Sequence, residues 1–180
     1  APRRYTAELE NALRGASSLR YGGLGWDCDA AEHACKALLY AHFAGCLDSA
    51  RVLWLDDNTI CWNGVGSLAE MFKQGALADL EALHLSGNPL SNAGAATLAA
   101  SLAGGMLPRL SELPLAGCQI RDSRVAQLAA AFDGRATPGL RSPPLSSNPL
   151  VNAPPPLASP LSPGAPSPPS TPPPLPTPGP

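Results

Sequence analysis

This sequence has little charge, few aromatic residues and no long hydrophobic run. Only 14% of its residues are charged, 5% are aromatic, and the formal net charge is −2. A chain without excess positive charge creates no field that attracts a phosphate backbone or an anionic membrane, so we expect no nucleic-acid partner and no membrane partner. The apolar stretches at residues 37–47 and 93–107 are shorter than the ~20 residues that a membrane-spanning helix needs.

The sequence also lacks the motifs of common catalytic sites. No glycine-rich loop is followed by the Lys and Ser or Thr of a phosphate-binding loop, and no G-x-S-x-G segment is present. The acidic residues are scattered and have no recognisable acid–base partner. We therefore expect a protein that is not an enzyme and that needs no cofactor.

The five cysteines are an odd number, which argues against a complete set of disulfides. We predict reduced thiols and a cytoplasmic location. One cluster leaves metal binding open as an alternative, because two of its members, a histidine and a cysteine, are four residues apart, as ligands on one helical face would be. The cluster consists of Cys28, His33, Cys35, His42 and Cys46. Its other spacings are unlike zinc ligand pairs, so we assign no metal ligand.

Proline is abundant, and most of the 22 prolines lie after residue 137. Prolines lack an amide donor and favour an extended conformation, so we expect residues 153–180 to be a disordered tail. The PPLP sequence at residues 173–176 resembles a ligand of WW-type domains, and PPPLP also suits a profilin-like protein. A plain linker, a glycosylated stalk and a reading-frame error remain alternatives for this composition.

A repeat with a period of 30 residues organises the rest of the chain. Residues 80–90 align with residues 110–120, and the same register covers residues 50–60 and 140–150. The units at residues 50–60, 80–90 and 110–120 carry two leucines separated by one residue, and then an asparagine or a cysteine, whereas a proline replaces the first leucine in residues 140–150. These repeat positions are Leu53, Leu55, Asn58, Leu83, Leu85, Asn88, Leu113, Leu115 and Cys118.

These segments resemble the leucine-rich repeats of the ribonuclease-inhibitor-like class, with their L-x-x-L-x-L-x-x-N/C-x-L pattern followed by a helix. The resemblance implies an α/β fold: a right-handed leucine-rich repeat solenoid, forming a short horseshoe with parallel strands on the concave face and helices outside. We predict an N-terminal helical flank at residues 1–18, a solenoid of about four to five 30-residue units at residues 19–152, and the tail at residues 153–180.

Equal register would place residues 30 apart side by side on neighbouring strands. Trp54 would then lie between Leu24 and His84 on the concave face, where an exposed tryptophan is a common interface anchor. An acidic rim beside it indicates a protein partner with a basic or mixed surface. The predicted partner-binding residues are Trp26, Trp54, Asp56, Asp57, Glu81, His84 and Glu112.

The function that these patterns favour is a non-catalytic protein–protein interaction module, a scaffold or adaptor that binds its partner on the concave face. Two alternatives belong to other classes. One is a GTPase-activating regulator resembling the Ran-activating leucine-rich repeat proteins, and the other is a metal-binding protein that uses the cluster between Cys28 and Cys46.

Overall fold

The structure, a computed structural model, describes residues 10–120 together with residues 139, 140 and 148. Residues 10–13 are helical. Strands and helices then alternate along the chain. They are β1 (Ser18–Arg20), α1 (Cys28–Phe43), β2 (Val52–Trp54), α2 (Trp62–Lys73), β3 (Ala82–His84) and α3 (Ser91–Ala103).

The three strands form one parallel sheet in the order β1-β2-β3. Leu53 of β2 pairs with Leu19 on one side and with Leu83 on the other. Parallel neighbours require a crossover connection, and α1 and α2 supply it here. Consecutive helices pack against each other, α1 on α2 and α2 on α3. Among the described residues, no helix combines the length and the apolar character that crossing a bilayer requires.

Leucines from the strands and helices meet in one core. Leu53 and Leu83 come from the strands, and Leu38, Leu68 and Leu98 come from the helices; all five are buried. The leucines of the helices recur at the repeat period, so each unit adds its own layer to a continuous cluster of buried residues. Because these helices cover one side of the sheet, the alternate strand side chains point to the other side.

The prediction of a right-handed leucine-rich repeat solenoid is wrong. The described residues form a small mixed α/β unit with a short three-stranded parallel sheet, and no horseshoe is found among them. The strand expected at Leu113 and Leu115 is reduced to one bridge between Ala82 and Glu112. Pro114 has no amide hydrogen with which to extend that ladder. The predicted last unit lies almost entirely, and the tail at residues 153–180 entirely, outside the described residues.

The first two strands are offset by 34 residues rather than by 30. Arg20 pairs with Trp54, in the place that the repeat assigns to Leu24. The chain has extra residues between β1 and α1. Cys28 is therefore the first residue of α1 and does not occupy the turn position that Asn58 and Asn88 take in the later units. Asp27 caps this helix, since its Oδ1 accepts a 2.8 Å hydrogen bond from the Ala30 amide.

Candidate functional site

Three large polar or aromatic side chains stand side by side on the uncovered face of the sheet. The middle residue of each strand is a buried leucine, and the last residue therefore points away from the core. These last residues are Arg20, Trp54 and His84, and they are in register. Trp54 and His84 are half-buried, and Arg20 is exposed. We call these three residues the stacked row.

In the stacked row, the planar groups of three side chains stack on one another across the three strands. The rings of Trp54 and His84 have centroids 3.7 Å apart and lie within 11° of parallel. The guanidinium carbon of Arg20 is 5.8 Å from the centre of the Trp54 ring, a favourable cation–π distance. Because β1 and β3 flank β2, the indole has a neighbour on each side, and what it offers to a partner is its edge.

Asp56 supports the stacked row from the end of β2. Its Oδ1 accepts a 2.7 Å hydrogen bond from the Ser86 amide, and its Oδ2 lies 3.6 Å from His84 Nδ1. Burial raises the pKa of Asp56, although the Ser86 amide and His84 act in the opposite direction. At 3.6 Å this contact is longer than a hydrogen bond, so the carboxylate acts on the imidazole through its charge alone.

Asp57 is exposed in a turn that usually needs glycine. Its φ is 54°, and the corresponding turn positions of the next units are Gly87 and Gly117, with φ of 72° and 67°. Aspartate tolerates this left-handed conformation better than most residues, but at a cost in stability. A Cβ atom at Gly87 would overlap the Asp57 carboxylate, so Gly87 makes room for the acidic group.

Glu81 and Glu112 lie at the other end of the strands, and both are exposed. Glu81 is 3.9 Å from the Arg51 guanidinium, so its charge is partly compensated. Glu112 lies opposite Ala82 in the isolated bridge, and no ion pair involving it is found among the described residues. The carboxylates of the predicted rim are therefore spread over the face rather than gathered in one cluster.

Trp26 does not lie on the uncovered face with the other predicted residues. Its ring stacks on Tyr21 with centroids 4.8 Å apart, and both rings pack against the core. The residue that takes a place on the face is Arg20, which the sequence reasoning missed. A signal for it exists: Leu19 and Tyr21 flank Arg20 with the same spacing as the leucines of the later strands.

The asparagine positions join the turns of successive units. Asn58 Nδ2 donates to the Tyr21 carbonyl at 2.8 Å, and Asn88 Nδ2 donates to the Leu55 carbonyl at 2.8 Å. In the next unit the Cys118 thiol donates to the Leu85 carbonyl at 3.2 Å. The same contacts recur at each step, so they hold the strand ends, and with them the stacked row, at a constant spacing.

The cysteines do not assemble a metal site. Cys28 and Cys61 are bonded through their sulfurs, with Cα atoms 5.6 Å apart. Cys35, Cys46 and Cys118 are buried and free, and burial raises the pKa of Cys35 to about 12 and that of Cys118 to about 11. In the part of the chain that the structure describes, no three His, Cys, Asp or Glu side chains are placed to hold one metal ion.

A cavity of about 310 Å³ lies on the helix side, between α1 and α2. Its rim includes Glu32 and Lys36, which pair with each other at 2.6 Å, and its floor includes Leu39 and Met71. This cavity is separate from the stacked row, and its third charged lining residue, Glu70, pairs with Lys73.

Comparison with protein-family models and with curated proteins finds no match to this chain, so no family is assigned to it.

Proposed function

We propose that this chain is a non-catalytic protein-interaction module that binds a protein partner on the uncovered face of its sheet. The observation that carries the proposal is the stacked row, in which Trp54 is held between Arg20 and His84. Side chains that are already fixed before binding lose little entropy when a partner arrives. A tryptophan and an arginine in such a position are the residue types that most often dominate interface energies.

The charges on this face favour a partner with a basic or mixed surface. Asp57 and Glu112 are exposed, and no ion pair links either of them to another described residue. Basic groups of a partner would find these carboxylates without having to displace an internal salt bridge. Rim charges of this kind chiefly guide the approach and the orientation of a partner.

The geometry gives no support to a hydrolase, even though an aspartate, a histidine and a serine meet here. In a catalytic triad the histidine lies between the other two residues. Here Asp56 is central, because it accepts from the Ser86 amide and approaches His84 through its other oxygen. Among the described residues, no hydroxyl lies within hydrogen-bond distance of the imidazole.

The other functional hypotheses stay predictions. No observation favours a GTPase-activating role, and the tail that would bind a WW-type or profilin-like protein lies outside the described residues. A leucine-rich repeat relationship is supported by the sequence pattern alone. A cytoplasmic location is supported by the odd number of cysteines but weakened by the bonded Cys28 and Cys61, since disulfides are rare in the cytosol.

The test compares partner capture by the full chain and by two double variants of it. Trp54→Ala with Asp57→Asn changes the uncovered face, and Glu70→Gln with Lys73→Gln changes an exposed ion pair of α2 on the helix side. A captured protein is identified, purified and titrated against all three chains by calorimetry. We expect the face variant to weaken binding at least tenfold and the helix variant to leave it unchanged, with identical circular dichroism. Equal affinities for the wild type and the face variant would refute the proposal.

A further inference from the structure

Arg20 is a cation without an anion in the part of the chain that the structure describes. Lys36, Arg51, Lys73 and Arg109 each lie within salt-bridge distance of a carboxylate. Arg20 instead touches the Trp54 ring, and no ion pair of its guanidinium is found. Its planar group is thereby oriented while its N–H donors stay available, which suits it to a carboxylate from outside.

The edge of the Trp54 ring adds a further donor beside Arg20. Neither Trp54 Nε1 nor His84 Nε2 has a hydrogen-bond partner among the described residues, and neither atom is shielded from solvent. The His84 Nδ1 atom is already directed at Asp56. Solvent therefore reaches both ring nitrogens. Trp54 Nε1 can donate a hydrogen bond to a partner's carbonyl oxygen, whereas His84 Nε2 accepts one when the Nδ1 proton faces Asp56.

A negatively charged residue lies at the opposite edge of the face. Glu112 lies on the segment beyond β3, opposite Ala82, and is exposed. Arg20 is in register with His84, whereas Glu112 is in register two residues earlier along the strand. Three strand steps of ~4.8 Å and two residues of ~3.3 Å along the strand therefore separate the two residues by roughly 16 Å. Four residues of an extended chain span about 14 Å, and residues four apart in such a chain point to the same side. The long side chains of the charged residues cover the remaining ~2 Å when the segment crosses the strands obliquely.

Given the proposed function, we infer that the partner offers an extended segment that crosses the strands, with an acidic and a basic residue four positions apart. The acidic side chain binds Arg20, the basic side chain binds Glu112, and the residue midway presents an acceptor to Trp54 Nε1. The proposed function requires only a partner with a basic or mixed surface. This inference is more specific, because it requires an acidic and a basic residue at a fixed spacing in one segment of the partner. Charge complementarity at both ends sets the choice of partner.

The test uses four blocked peptides whose ends carry no charge. The first contains Glu-Thr-Gln-Thr-Lys, the second has Lys at both outer positions, the third has Glu at both, and the fourth has Gln at both. Affinities for the full chain are measured by nuclear magnetic resonance titration at low salt. We expect the Glu/Lys peptide to bind at least about fivefold more tightly than each of the others, since each of them lacks at least one exposed charge pair, and such a pair contributes ~1 kcal/mol.

Two single variants provide the matched controls, and both replace exposed side chains. Arg20→Glu should shift the preference to the Lys/Lys peptide, and Glu112→Lys should shift it to the Glu/Glu peptide. Adding salt should reduce all of these preferences. A further peptide, with Glu and Lys two positions apart, should lose the advantage of the first.

Failure of this inference can be told apart from failure of the proposed function. If the wild-type chain prefers the Lys/Lys peptide, the partner is simply basic: the inference is overturned and the interaction face stands. Equal affinities for all peptides, or no measurable binding at millimolar concentration, also overturn the inference. The interaction face itself is decided by the Trp54→Ala and Asp57→Asn variant and the purified partner.

Discussion

At the scale of single residues, the turn at Asp57 and Gly87 links stability to the proposed site. Both residues have positive φ, and the Asp57 carboxylate occupies the space beside Gly87. Two effects should destabilise the Gly87→Ala variant. Backbone strain should cost about 1–2 kcal/mol, and the added methyl group should displace the Asp57 carboxylate. It should therefore also weaken partner binding. Urea unfolding and calorimetry measure the two effects.

Gly117 supplies the matched control for this prediction. Its φ is also positive, at 67°, but the atoms nearest to an added Cβ are 3.8 Å away. Gly117→Ala should therefore show the backbone strain without the displacement, and should bind a partner normally. If both variants lose the same stability and bind equally, then Gly87 has no role in positioning Asp57.

At the scale of elements, the bond between Cys28 and Cys61 ties the first turns of two helices together. Cys28 begins α1, and Cys61 is the residue just before α2. The two cysteines are 33 positions apart, and a cross-link closing a loop of that size stabilises a protein by about 4 kcal/mol. We expect dithiothreitol to lower the free energy of unfolding of the wild-type chain by roughly that amount, as measured in urea.

The double variant Cys28→Ser with Cys61→Ser is the control, because it should unfold identically with and without reductant. The remaining cysteines are buried, and thiols with raised pKa values form little thiolate at neutral pH. They should therefore react slowly with iodoacetamide in the folded chain. If the reductant leaves the free energy of unfolding of the wild-type chain unchanged, the bond does not form in solution.

At the scale of the whole molecule, Asn88 connects successive units of one continuous core. It is fully buried, its Oδ1 accepts from the Ile60 amide, and its Nδ2 donates to the carbonyls of Leu55 and Leu85. Asn88→Leu leaves these groups buried without partners and should cost about 3 kcal/mol. Since the buried residues of the described part of the chain form one cluster, tryptophan fluorescence and circular dichroism should report one shared transition.

Asn88→Cys is the conservative comparison, because Cys118 occupies the corresponding position of the next unit and bonds the Leu85 carbonyl. Its loss of stability should be smaller than that of the leucine variant. A leucine variant as stable as the wild type, or two separate transitions for the two probes, would contradict the role assigned to Asn88.

The local features of this structure could be predicted from the sequence, because they depend on a short pattern. Alternation around Leu53 and Leu83 predicts strands with one buried side, and an amide at the position of Asn88 suits a turn that is short of hydrogen-bond partners. The solenoid could not be predicted in the same way. Pro114 has no amide hydrogen, so it cannot donate the next hydrogen bond of the ladder. The effect of this loss depends on how the segment pairs with β3, and the pattern within one repeat does not reveal that pairing.

The amino-acid sequence by itself determined the spacing of buried leucines, the α/β class with parallel strands, and the presence of Trp54 and His84 on one face. Only the tertiary structure decided that Arg20, rather than Leu24, lies beside Trp54, that Trp26 turns towards the core, and that Cys28 meets Cys61. The physical reason is the register of the first strand pair. Loop length can change by four residues without altering the leucine pattern, whereas side-chain neighbours across strands depend on that length directly.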